Sequence, residues 1–190
     1  MILNASTPLP WRPRRVLVAG VSGSGKSTLA RRISEVGRLP YTEIDSLYHG
    51  PDWRPRAEFP SEVMEFITQP EWVIEWQYKS VKNEMLAAAD TMVWLNLSRR
   101  TVYPRLMRRT LLRRVRRTEL WNGNAEPPLH TLFTDPNHVV RVSWRSYPLR
   151  AAQFRELSLS LDPQRIALVD LRSPADVRDW LRGPFSAQQR

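Results

Sequence analysis

The stretch Val16-Leu-Val-Ala-Gly20-Val-Ser-Gly-Ser-Gly25-Lys-Ser-Thr28 decides how the rest of the chain is read. Gly20, Gly25, Lys26 and Ser27 meet the spacing G-x-x-x-x-G-K-[ST]. An apolar run (Val16, Leu17, Val18) precedes it, and Leu29, Ala30, Ile33 and Val36 follow at helical spacing. Strand, glycine-rich turn and helix in that order make a phosphate-binding loop.

A triphosphate must be held by many donors at once, and side chains would block their approach. Gly20, Gly23 and Gly25 let the backbone curl so that successive N–H groups point inward, and the helix adds its positive N-terminal end. Gly20, Ser22, Gly23, Ser24, Gly25, Lys26, Ser27 and Thr28 are therefore the candidate ligands for ATP. Lys26 is expected to reach the outer phosphates, and the Ser27 hydroxyl to hold Mg2+.

Working outward, Met1 to Arg15 has prolines at 8, 10 and 13 and no periodicity, so it reads as an extended lead-in. Tyr41-Thr-Glu-Ile-Asp45 is a short candidate strand ending in acids, and Trp72-Val-Ile-Glu75 is another, with Gln77 and Tyr78 just beyond. Ligands of an open parallel sheet bind at such carboxyl ends. Asp45 is read as a catalytic or metal-linked acid, or else as a helix cap. Glu75, Gln77 and Tyr78 join it as candidate substrate contacts. Helices are expected near 59–67 and 81–89, and further strands at 91–97 and 165–170. Pro148 is expected to kink a long helix after Val140. Ser173, Pro174 and Asp176 read as the capped start of the last helix, and residues 184–190 as a frayed tail.

Composition narrows the class. The 190 residues carry a formal net charge of +10, with 42% apolar and 25% charged residues, as expected of one globular domain spanning 16–183. No apolar run is long enough for a membrane span, so the cytoplasm is expected. Without cysteine, thiolate chemistry and most zinc sites are excluded, and His49, His130 and His138 have no metal-ligand spacing. The positive charge is nearly all arginine and concentrates between Arg99 and Arg117.

That segment reads as a helix with Tyr103, Leu106, Met107, Thr110 and Leu111 on one face. Arg105, Arg109, Arg113 and Arg116 fall on another. A glycine- and proline-interrupted insertion follows, giving an arginine-bearing lid over about 113–140. Arg113 and Arg117 on its near side, and Arg141 and Arg145 on its far side, are the candidates for the transferring phosphates. Arg105 and Arg109 are read as outward-facing. A solvated surface or a nucleic-acid surface would use the same residues.

Strands alternating with helices around the loop give a three-layer α/β P-loop NTPase domain with a five-stranded, mainly parallel sheet. No N-K-x-D motif, L-S-G-G-Q signature or paired strand-end acids are present. The loop, Asp45 with Leu47 and Trp53, Trp72 to Tyr78, the strand at 91–97 and the arginine segment together resemble the small P-loop kinases related to adenylate kinase. More narrowly, they resemble the bacterial adenylate kinase-like or DNA topology modulation protein group. The resemblance runs from Val16 to Leu181.

It implies a strand order 2-3-1-4-5, a magnesium–ATP site on the loop, an acceptor site beside strands two and three, and an arginine lid. Lys26 and Ser27 match the phosphate and metal positions, and Asp45 the acid beside the acceptor hydroxyl or metal. Glu75-Trp-Gln-Tyr78 departs from the Asp-Gly-Asn-Tyr of many relatives, which leaves the acceptor open. The expected activity is phosphoryl transfer from ATP to a nucleotide or hydroxyl-bearing metabolite, by a monomer or homodimer. The alternatives are a nucleic-acid-binding or regulatory NTPase, and a toxin that phosphorylates an essential metabolite.

Overall fold

A computed structural model describes residues 2–128, 130–136 and 138–189. Its strands are β1 (Ile2–Leu3), β2 (Arg15–Gly20), β3 (Trp72–Glu75), β4 (Thr91–Leu95) and β5 (Ala167–Leu171). All pair in parallel, in the order β1-β5-β4-β2-β3. The phosphate loop leaves the end of β2, which lies between β3 and β4.

Alternation along the strands sorts the core into two layers. Val16, Val18, Val73, Val93 and Val169 point to one face, and Leu17, Ile74, Met92, Trp94 and Leu168 to the other. The first face is covered by α1 (Lys26–Gly37), the helix that follows the loop, through Leu29 and Ile33. Two short helices come next, α2 (Ile44–Tyr48) and α3 (Phe59–Ile67). With α4 (Lys82–Ala88), α3 covers the second face through Phe59, Val63 and Met85. Strand β4 feeds α5 (Arg99–Val115), and the insertion carries α6 (Thr131–Thr134). Helix α7 (Val139–Ser160) runs as one element through Pro148 and adds Phe154 and Leu157 to the second face. Helix α8 (Pro174–Trp180) closes the first, starting with the expected capping box between Ser173 and Asp176.

The α/β class holds, but the strand order differs from 2-3-1-4-5 at both edges. The expected strand at 41–45 is reduced to a single bridge, Tyr41 to Val73. The Ile44 N–H is drawn instead to the Glu75 carboxylate at 3.1 Å, and the chain turns into α2 with Asp45 in its first turn. At the other edge the lead-in is not merely extended. Ile2 and Leu3 add a strand to β5, and Leu3 and Leu9 are buried, because the open edge of β5 offers unpaired backbone groups and an apolar slot.

In the tail expected to fray, residues 185–189 pack on the domain, and Arg190 lies outside the described residues. Phe185 is fully buried against Trp180, with ring centroids 5.0 Å apart, and Gln188 donates through Nε2 to the Leu9 carbonyl at 2.8 Å. Pro184 sits in a wide helical turn that swings Phe185 inward. Among the described residues, no helix is long and apolar enough to cross a membrane.

Candidate active site

The loop is held by its backbone and by what lies across it. Gly25 begins α1 at φ +97°, a left-handed conformation that disfavours a side chain. Gly23, at φ +83°, is demanded by space as well. A Cβ there would meet the Leu106 Cβ at 2.8 Å, because α5 crosses directly over the loop. Helix α7 touches it too, with the Ser143 hydroxyl 3.4 Å from the Ser22 carbonyl.

Lys26 is buried, and its ammonium donates to the Val21 carbonyl at 3.3 Å. Burial pulls its pKa down to about 8, against the opposing pull of Asp45 and Glu75. Glu75 ends β3 and is only 2% exposed. Its two oxygens accept from the Tyr41 hydroxyl (2.8 Å) and the Ile44 N–H (3.1 Å), and the Ser27 hydroxyl lies beside it. Burial pushes this carboxyl up, and the donors offset part of the rise. Glu75 thus stands on the Ser27 side, with its oxygens committed to protein donors.

Asp45, Gln77 and Tyr78 form a separate group. Asp45 Oδ1 accepts from Gln77 Nε2 at 2.7 Å and from the Tyr78 hydroxyl at 2.6 Å. Tyr78 is held at φ +58° and stacks on Tyr48 with centroids 3.8 Å apart. Its phenol is pushed far up by burial and by the Asp45 charge, so it remains a donor. The His49 Nε2 lies 3.2 Å from the same hydroxyl, and burial lowers the His49 pKa. Gln77 and Tyr78, just beyond β3, therefore both fix Asp45.

The insertion closes over this group. The Trp121 ring stacks on His49 at 5.8 Å, and the Asn122 amide donates to the His49 carbonyl. The buried Asn124 donates to the Gly50 carbonyl at 2.8 Å and accepts the Trp53 N–H at 2.9 Å, while Trp53 Nε1 donates to the Ala125 carbonyl.

The arginines are arranged differently from the expected faces. Val102 and Leu106 are buried against the loop, and residues seven further on lie two turns away on the same face. Those residues are Arg109 and Arg113. Burial lowers the Arg109 pKa, Arg113 adds to this, and Glu126, Asp45 and Glu43 oppose it. Its buried Nε has no hydrogen-bond partner among the described residues. The reading of Arg109 as outward-facing is thereby corrected. Arg113 pairs with the buried Glu126 at 3.4 Å and lies over Trp121. Arg117, expected at the phosphates, is exposed past the end of α5 at φ +48°. Arg145 is exposed and donates to the Pro136 carbonyl, and Arg141 is half-buried in the first turn of α7. Arg150, which the sequence did not single out, instead lies within electrostatic range of Lys26.

No cluster of three His, Cys, Asp or Glu suited to a tight metal site occurs among the described residues. A magnesium nucleotide needs none, since it is held through water, phosphate and one or two protein oxygens. Ser27 beside Glu75 fits that donor set.

No protein-family model and no curated protein sequence matches the chain. The fold is shared with shikimate kinase from Acinetobacter baumannii (TM-score 0.53, 15% identity, 89% of each chain covered). It is also shared with shikimate kinase from Bacteroides thetaiotaomicron (TM-score 0.51, 14% identity, 90% of this chain and 95% of that one). A gluconokinase from Sinorhizobium meliloti 1021 aligns over 96% of both chains at 21% identity and TM-score 0.48. The chain thus shares the fold of these two shikimate kinases.

Proposed function

We propose that the protein is a kinase that transfers the terminal phosphoryl group of ATP to a hydroxyl of a small acceptor. The observation that carries this reading is Asp45, within electrostatic range of Lys26 and oriented by Gln77 and Tyr78. Phosphoryl transfer asks little of a protein beyond positioning and charge, with one acid to take the hydroxyl proton.

In this reading the loop amides and Lys26 hold the phosphates, and Ser27, supported by Glu75, holds Mg2+. When bound, the ion neutralises charge on the phosphate oxygens. Asp45 accepts the proton of the acceptor hydroxyl. Its two donors hold Oδ1 in place, so the carboxylate is aimed before the acceptor arrives. Arg109, on the loop-facing side of α5 and without an ion-pair partner among the described residues, supplies positive charge as the transferring group loosens. Arg113 and Arg141 take part as the insertion closes. The clasp between the Trp121–Asn124 turn and the His49–Trp53 loop excludes water from Asp45.

A second reading, nucleic-acid binding, is favoured by one feature. Arg105, Arg108, Arg109, Arg113 and Arg116 line an open cavity of about 430 Å³ along α5. Kinetics of Asp45→Asn separate the two. As a kinase, the variant keeps ATP affinity while acceptor phosphorylation falls by about two decades or more. Undiminished turnover would return Asp45 to a structural role.

A further inference from the structure

Three cations gather at the carboxyl ends of the central strands with few acids to meet them. Lys26 donates to the Val21 carbonyl, and Val21 lines a small cavity together with Trp94, Tyr147 and Arg150. The Trp94 ring lies 6.1 Å from Trp76, and the Lys82 ammonium sits over the Trp76 ring at 4.1 Å. Lys82 is held down to about pKa 8 by burial, with Arg150 and Lys26 adding in the same direction and no acid opposing. Burial alone lowers Arg150.

Among the described residues, two other partly buried arginines are paired, whereas Arg109 is not. Arg56 has Glu62 at 2.6 Å and Arg113 has Glu126 at 3.4 Å. Among the described residues, neither Lys82 nor Arg150 has a carboxylate within ion-pair distance, and Arg150 donates only to the neutral Gln153 amide at 2.9 Å. Gathering like charges away from water is costly unless an anion joins them. Chain position indicates whose anion. A single turn, closed by the Val81 N–H on the Tyr78 carbonyl, joins Lys82 to the two residues that fix Asp45.

We propose that Lys82 and Arg150 form an oxyanion subsite beside Lys26, so that the acceptor carries a phosphate or carboxylate group in addition to the hydroxyl presented to Asp45. The inference rests on the kinase reading and narrows its acceptor to anionic metabolites. The competing source of the oxyanion is the terminal phosphate of the nucleotide itself, and the test separates the two.

The protein is first saturated with a non-hydrolysable ATP analogue and Mg2+, and inorganic phosphate is then titrated in by calorimetry. Wild type should bind phosphate. Lys82→Met and Arg150→Met should each weaken it about tenfold or more, and Lys82→Arg by about threefold or less, in keeping with one charge-assisted contact. Affinity for the analogue should be unchanged throughout. Both methionine variants lose an unpaired, half-buried charge, so their melting temperatures should equal or exceed that of wild type. Absence of phosphate binding in the loaded wild type, its persistence in both methionine variants, or losses that fall on the analogue instead would overturn the subsite. Failure of the wild type to bind the analogue at all would instead reject the kinase reading.

Discussion

The phosphate loop and the arch of α5 and α7 above it meet at Gly23, yet they are built on different terms. The loop takes its shape from glycine backbone angles and from neighbours that pack on it, so any sequence with that spacing makes nearly the same object. The arch takes its shape from distant partners. Arginines that look alike in sequence end in unlike places: Arg109 facing the loop, Arg113 on Glu126, Arg145 on a carbonyl, Arg117 in solvent. Residue type is informative in the loop, whereas only position is informative in the arch.

The sharpest way to break this contrast is Lys26→Met. Loss of a buried charge from the phosphates should lower ATP affinity by about three decades, measured by calorimetry, with the fold retained. Affinity within a few-fold of wild type would show that the loop does not act through its lysine.

The same variant should be more stable than wild type at pH 7. Lys26 has a folded pKa of about 8, below the unfolded 10.5, so the folded state holds fewer protons between these values. Wild-type stability therefore rises with pH over that interval. The advantage of Lys26→Met is widest below pH 8, on the order of 3 kcal/mol, and closes as pH approaches that of free lysine. Melting curves at pH 7 and 10 that show no convergence would contradict the burial of that charge.

Within the arch, Arg109→Ala should cut turnover by about two decades, and Arg105→Ala by less than about twofold, since exposed remote charges are screened. Equal losses in turnover, or equal losses in DNA affinity at two salt concentrations, would erase the distinction between the two arginines. The smallest effect expected is at the clasp. Asn124→Ala removes bonds to Gly50 and Trp53 and should raise the acceptor KM by about five- to tenfold, at roughly 1 kcal/mol for a net hydrogen bond. An unchanged KM would detach the insertion from acceptor binding.

The contrast also accounts for what could be read from sequence. The loop, β2, α1 and the Ser173–Asp176 cap are local patterns, and all are present. Asp45, Gln77 and Tyr78 could be flagged one by one, but the bonds between them span 32 and 33 positions and leave no local mark. Arg109 carried a usable signal, its spacing of seven from Val102, which the assignment of the arginines to a different face from Tyr103, Leu106 and Thr110 obscured. Lys82 and Arg150 carried none, since their meeting depends on how α4 and α7 pack on the second face of the sheet. The β1 strand is two residues long, too short for alternation to show, and Phe185 is buried through a wide turn that no apolar period announces.

The measurement that bears most directly on the account is transfer of label from γ-phosphate-labelled ATP to a fractionated small-molecule extract, comparing wild type with Asp45→Asn. The account predicts a labelled, acceptor-dependent product with wild type and its near-complete loss with the variant, while ATP affinity stays the same. Label released only as inorganic phosphate whatever the extract, or a product made equally well by Asp45→Asn, would contradict it.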